Sequence, residues 1–279
     1  GRDDGIVERD VLAAALVHAS WNVLVKCAAD KLAMTVSVAI GAGLVAATIL
    51  PFLQLPAPDS WPFLGASVLL QSVYYLLIAR AYRIADMSIA YPLMRGAAPL
   101  VVALSGALVF GETLRSGQWV AIGLISVGIG ALALGAFRQP LAAAGGVTAL
   151  CNAMIIAAYT LVDASGVRLS GAPVAYALLL AVLTGVVTVA LVLAGRARPQ
   201  LDGRTLGLGL VGGAATTLSY GIALWAMTRA PVAPVAALRE TSIIFALALS
   251  RLVFGEKVGG RRIAAALLVM AGVAALRLF

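Results

Sequence analysis

Ten stretches of about twenty mostly apolar residues follow one another along the chain, and this pattern decides most of what it can fold into. They run over Val11–Ala28, Met34–Leu53, Trp61–Ala85, Ser88–Phe110, Gln118–Phe137, Gly145–Ser165, Ala172–Ala194, Thr205–Thr228, Val232–Phe254 and Ile263–Leu278. Inside hydrocarbon every backbone N–H and C=O needs a partner within the protein, which leaves only α-helices and closed β-barrels. Barrel strands alternate apolar and polar residues. These runs are instead continuous and rich in Ala, Leu and Val, so the sequence predicts an all-α polytopic membrane protein with ten transmembrane helices. Only 11% of the residues are charged and the mean hydropathy is +1.03, whereas a soluble domain carries about 25% charged residues.

The chain also repeats itself. Met94–Leu132 aligns with Leu238–Leu276 at a constant offset of 144, pairing Arg95 with Arg239, Phe110-Gly111-Glu112 with Phe254-Gly255-Glu256, and Gly128 with Gly272. Upstream, Gln71 pairs with Thr216 and Tyr75 with Tyr220 at 145, and Trp21 falls opposite Tyr159. Each unit holds five spans, giving two halves, 1–138 and 139–279. An odd number of spans per unit turns the second copy upside down in the membrane. Inverted repeats of this kind characterise secondary transporters, whose sites lie near the midplane between the halves.

The doubled Phe-Gly-Glu motif, the glycine-bearing closing helices and the five-span repeat resemble the drug/metabolite transporter superfamily, specifically paired EamA domains, over nearly the whole chain. That resemblance implies a ten-helix carrier of small organic solutes, often an exporter of amino acids, in which helices 1–4 and 6–9 surround a central cavity and helices 5 and 10 lie outside it. It implies a multi-pass protein of the bacterial inner membrane. Glu112 and Glu256 each follow a helix-ending glycine and precede a basic loop, so they read as structural turn residues rather than as a binding site.

Charge and motifs narrow the function further. The net charge of +8 comes from basic residues scattered through short loops, which points to anchoring at the membrane surface and not to nucleic acid. With Arg95 and Arg239 left inside, six Lys and Arg fall on the side of the termini and twelve on the other. The positive-inside rule then places both termini outside the cytoplasm. One histidine, few acids and no metal-ligand spacing, phosphate loop or serine elbow offer nothing to an enzyme, so no catalytic residues, metal or cofactor are expected. Cys27 and Cys151 form no ligand pair and read as small buried residues.

Candidate cavity residues follow from helical spacing, since positions three and four apart share a face. Span 1 aligns His18, Trp21, Asn22 and Lys26; span 3 aligns Gln71, Tyr74, Tyr75 and Tyr82. Ser88, Tyr91 and Arg95 align in span 4, and Asn152, Tyr159 and Asp163 in span 6. Span 8 offers Thr216, Thr217 and Tyr220, with Trp225 further along. Lys26 can snorkel to the interface, and Asp163 can pair with Arg168 near the end of its span.

The adjacent Arg239 and Glu240 in span 9, with Arg95 in span 4, are the charges that hydrocarbon tolerates least. Two readings stand. Arg95 or Arg239 can lock spans 4 and 9 together through Glu240. Alternatively the guanidinium groups hold a solute carboxylate while Glu240 takes an amine or a coupling proton. On the second reading Arg239, Glu240, Arg95, Tyr75, Tyr220, Trp21, Asn22, Tyr91, Gln71, Tyr159 and Trp225 contact an anionic or zwitterionic metabolite. Organic anions, phosphate- or phosphonate-bearing metabolites and cationic drugs are the alternative cargoes. Glu240, His18 and Asp163 are the candidates for proton coupling. The expected partners are the solute, the bilayer and protons, for a monomer or homodimer.

Overall fold

The computed structural model describes residues 7, 9–18, 28, 30–84, 87–111, 113–133, 142–195, 198–242, 244–245 and 259–278. Trp21, Asn22, Lys26, Cys27, Glu112 and Glu256 lie outside the described residues, as do the side chains of Tyr82, Ser88 and Tyr91.

Where described, each apolar run folds mainly as helix, because a helix satisfies its own backbone inside lipid. α1 covers 9–18, α2 Lys31–Ile49, α3 Trp61–Ile84, α4 Met87–Phe110 and α5 Ser116–Ala133. The second half contributes α6 Ala142–Ser170, α7 Pro173–Ala194, α8 Gly203–Met227, α9 Val232–Arg239 and α10 Gly260–Leu278. Five of these are long and apolar enough to cross a membrane over their described residues, within Lys31–Phe52, Pro58–Ala81, Val147–Ser170, Pro173–Ala194 and Gly203–Met227.

Short polar residues set the helix ends. Asp30 caps α2 by accepting from the amides of Leu32 and Ala33 at 2.9 and 3.0 Å, the N-terminal exchange that Asp favours. Asp202 does the same for α8, accepting from the Thr205 amide at 2.8 Å. Hydrogen bonding from Thr205 holds that loop carboxyl below its ordinary value. Gly111, at φ 62°, closes α4 in the left-handed conformation that only glycine adopts without strain. The glycine of the Phe-Gly-Glu motif is thus a helix stop.

The two halves meet across a pseudo-twofold axis. At the crossing of α5 and α10, a Cβ built on Gly128 would lie 2.7 Å from Val269 and 2.9 Å from the Ala265 carbonyl oxygen. A Cβ on Gly272 would lie 2.7 Å from Ile125 and 2.8 Å from the Ala121 carbonyl oxygen. Every residue on one side is its partner plus 144, the reciprocal contact that a twofold operator requires. α2 and α7 cross in the same way, Gly43 facing the Ala181 carbonyl and Gly185 facing that of Ala39.

The symmetry breaks at α2 and α8. Their backbones touch at the middle of α2 and in the first half of α8: a Cβ on Gly41 would overlap the Gly209 carbonyl, and one on Gly213 would overlap the Ala42 nitrogen. Small residues permit such close approach between membrane helices, where van der Waals contact drives association. On α3, Gly65 sits within one residue of the position equivalent to Gly209, and nothing approaches it. α2 and α8 therefore form a tight seal between the halves where they cross. Gly213→Leu should lower the melting temperature of the purified protein by about 5 °C or more, since overpacking costs about 1–3 kcal/mol. Gly65→Leu should leave it unchanged; equal melting of the two variants would refute the seal.

Two expectations need correcting. The span expected to run unbroken from Val232 to Phe254 is interrupted: α9 stops at Arg239, and residues 240–241 form a turn. There the amides of Glu240 and Thr241 bond to Ala237 and Leu238, three residues back, in place of the usual four. Helical geometry resumes at Ser242, and residues beyond 245 of this span lie outside the described residues. Cys151, expected to be buried, is exposed on the outer face of α6. A weakly polar thiol is as acceptable to lipid as a small apolar side chain, so nothing forces it inward.

Candidate functional site: a tyrosine-lined cavity with two arginines

The break in α9 places its two charged residues differently. Arg239 ends the helix, is 9% exposed, and stacks its guanidinium over the Tyr220 ring at 4.8 Å from the centroid. Among the described residues no carboxylate forms an ion pair with it. Glu240, one residue on, accepts from Arg95 Nη1 at 2.9 Å. Arg95, only 3% exposed, also donates from Nη2 to His18 Nε2 at 2.5 Å. An arginine can only donate, so His18 accepts through this nitrogen and carries its proton on Nδ1.

These contacts divide the charges. The Arg95–Glu240 pair joins α4 to the α9 turn and is neutral as a unit, as the interhelical reading expected. Arg239 lines the cavity with no carboxylate in direct contact among the described residues. The Glu240 Oε2 atom is buried with no hydrogen-bond partner among the described residues.

Four tyrosines continue the site. Tyr75 meets Tyr74 edge to face at 5.4 Å, Tyr74 meets Tyr159 at 5.8 Å, and Tyr159 meets Tyr220 at 6.0 Å. Such T-shaped pairs set the positive edge of one ring on the negative face of the next. The chain of rings crosses from the first repeat to the second and ends beneath Arg239. It borders a cavity of about 60 Å³, which Gln71, Arg95, His18 and the helix α7 residues Ala181 and Thr184 also line.

Asp163 anchors this wall. The expectation that it pairs with Arg168 is wrong: Arg168 donates to the carbonyl oxygens of Met227 and Ala230. The buried Asp163 carboxylate instead accepts from Tyr220 at 2.5 Å, Gln71 at 3.0 Å and Tyr176 at 3.1 Å. It thereby ties α3, α7 and α8 to its own helix, α6. A carboxylate in hydrocarbon is stable only when its lone pairs are occupied, and three donors on three helices do that.

The sequence-derived candidates therefore separate. Arg95, Arg239, Gln71, Tyr75, Tyr159, Tyr220 and His18 converge on one cavity. Glu240 and Asp163 stand just behind its wall, each bonded to a residue that lines it. Asn152 bonds Met94 Sδ at 2.9 Å, stitching α6 to α4. Trp225 lies under the Arg229 guanidinium at 5.0 Å and lines a second, apolar groove of about 520 Å³ with Val45, Ile49, Leu218 and Ile222. Ala177 and Thr217 border both spaces.

Thr184 and Tyr176 escaped the sequence reading. The signal for Thr184 is a stripe of small and polar residues in α7, at Ala177, Ala181, Thr184, Gly185 and Thr188, recurring every three or four positions among bulkier neighbours.

A buried cavity walled by helices of both repeats and carrying two arginines among apolar and tyrosine side chains is an arrangement for carrying a solute across a bilayer. Comparison with known proteins agrees. A solved structure titled "Crystal structure of protein" shares the fold, with a TM-score of 0.78, 19% identity and coverage of 98% of each chain. Comparison with curated proteins returns no significant match. Residues 11–134 and 143–278 each match the EamA-like transporter family. The duplicated match, the paired repeats and the shared fold lead to one conclusion: the chain belongs to the EamA-like transporter family and is a multi-pass membrane transporter of small solutes.

Proposed function

We propose that the protein exports small carboxylate-bearing metabolites, amino acids among them, across the bacterial inner membrane as a secondary-active carrier working by alternating access. The observation that carries this reading is the unequal neutralisation of the two arginines. Arg95 is spent on Glu240, while Arg239 faces the cavity with no carboxylate paired to it among the described residues. A buried guanidinium in this setting favours an anion, and its planar fork suits a carboxylate. The free Glu240 Oε2 supports assigning to Glu240 the amine of a zwitterion or a coupling proton. The tyrosine chain and Gln71 would enclose the remainder of the solute. The contact of α2 with α8 supports a state closed on one side, which rocking of the repeats would reverse.

Counterflow in proteoliposomes tests the reading. Unlabelled amino acid or hydroxy acid inside the vesicles should drive uptake of the labelled compound, and the corresponding amide or amine should not. Arg239→Gln should lower that uptake about 100-fold, because truncating one side of a buried charged contact costs about 2–5 kcal/mol. Equal counterflow of a cationic amine, or full activity of Arg239→Gln, would refute the assignment.

A further inference from the structure

Three threonine hydroxyls in this cavity differ from those of Thr35, Thr160 and Thr228. Thr35, Thr160 and Thr228 return their hydroxyls to carbonyl oxygens of their own helices, at 2.7, 2.7 and 2.6 Å. That is the ordinary way a helix absorbs a buried hydroxyl. Thr184 on α7 and Thr216 and Thr217 on α8 do not: each Oγ1 is buried with no hydrogen-bond partner among the described residues, and all three residues line the central cavity. A buried hydroxyl without a partner is costly, so three beside one cavity mark a surface waiting for a polar ligand group.

Their placement identifies the group. Thr216 and Thr217 precede Tyr220 by four and three residues, one helical turn along the same face, and the Tyr220 ring lies under Arg239. The hydroxyls therefore stand about one turn, roughly 5 Å, from the residue that carries the arginine. A second cation there would be repelled by Arg239, whereas neutral oxygens would not. A hydroxyl can both donate and accept, and so can a ligand hydroxyl. The cavity of about 60 Å³ restricts the ligand to a compact one.

We infer that Thr184, Thr216 and Thr217 form a hydroxyl-recognition subsite that selects small hydroxylated carboxylates over apolar carboxylates of the same shape. This rests on the assignment of Arg239 to the carboxylate and adds a criterion for the other end of the solute. A site built to bond a ligand hydroxyl rejects the analogue lacking it, because its own polar groups stay unpartnered.

The test is calorimetric titration of the purified full chain with 2,3-dihydroxypropanoate and with 2-methylbutanoate, in which methyl groups replace both hydroxyls. The wild type should bind the dihydroxy acid about 30-fold more tightly, a few-fold to tenfold for each hydroxyl. The triple variant Thr184→Val, Thr216→Val, Thr217→Val should lose that preference and hold the methyl analogue within about threefold of wild type. Its melting temperature, at or above wild type once the unpartnered hydroxyls are gone, reports folding. Thr184→Ser keeps a hydroxyl and should keep the preference. Equal affinity for the two acids in the wild type, or a preference that survives in the triple variant, overturns the subsite alone. Failure of the wild type to bind either acid overturns the Arg239 assignment and the subsite with it. Arg239→Gln should weaken both acids to a similar degree.

Discussion

Glu240→Ala should destabilise the folded protein by about 3–5 kcal/mol, the cost of breaking a buried pair and leaving the other charge behind. Arg95 is the charge left behind, with its side chain 4% exposed and Glu240 Oε1 at 2.9 Å. His18 would still accept one of its N–H groups, but imidazole carries no negative charge to offset the cation. Unfolding in mixed micelles, followed by tryptophan fluorescence, measures the loss. Removing both partners, as Arg95→Met with Glu240→Met, should recover most of it, because a buried pair rarely outweighs an apolar replacement of similar volume. Wild-type stability in the single variant would show that Glu240 does not neutralise Arg95.

Asp163→Ala should cost nearly as much, and it should also reach the solute site. Tyr220, Tyr176 and Gln71 would lose their common acceptor together. A buried donor without a partner costs about 1–3 kcal/mol, so the two tyrosines should remove roughly 2 kcal/mol or more, while Gln71 keeps its bond to Ser67 Oγ. The Tyr220 ring would then no longer be held beneath Arg239. Carboxylate affinity should fall about tenfold even though Asp163 itself lies behind the cavity wall. Asp163→Asn, which keeps one acceptor oxygen, should fall between the two. Melting temperature and calorimetric affinity on the same samples separate the two effects. A variant that loses stability but binds carboxylates normally would confine Asp163 to a structural role.

Both experiments concern contacts that no local pattern reveals. Arg95 and Glu240 are 145 residues apart in sequence, and Gln71 and Asp163 are 92 apart. Spacing rules put Gln71 and Tyr75 on one stripe and Asp163 and Tyr159 on another, which was enough to nominate them. It could not say that Asp163 faces three donors and Arg168 faces carbonyl oxygens. Nor do the residues around 240 foretell the turn in span 9, since Leu238-Arg239-Glu240-Thr241 contains neither glycine nor proline. Hydropathy reads such a stretch as continuous helix. The repeat alignment paired Gly128 with Gly272 as equivalent positions, and the structure adds that both sit at the crossing of α5 with α10.

The sequence by itself determined the helices, the duplication and the residues that hydrocarbon would not tolerate facing outward. These are local consequences: lipid obliges each span to satisfy its own backbone, so apolar length alone defines a helix, and a charge within it must turn toward protein or water. The tertiary structure alone decided which charges cancel and which remain. Helix α9 breaks so that Arg239 and Glu240 face different neighbours, Glu240 meets Arg95, and Arg239 is left over Tyr220. That division depends on the approach of α4, α8 and α9 to within a few ångströms. Such distances come from side-chain contact between helices far apart in sequence, which the hydropathy of any one of them does not contain.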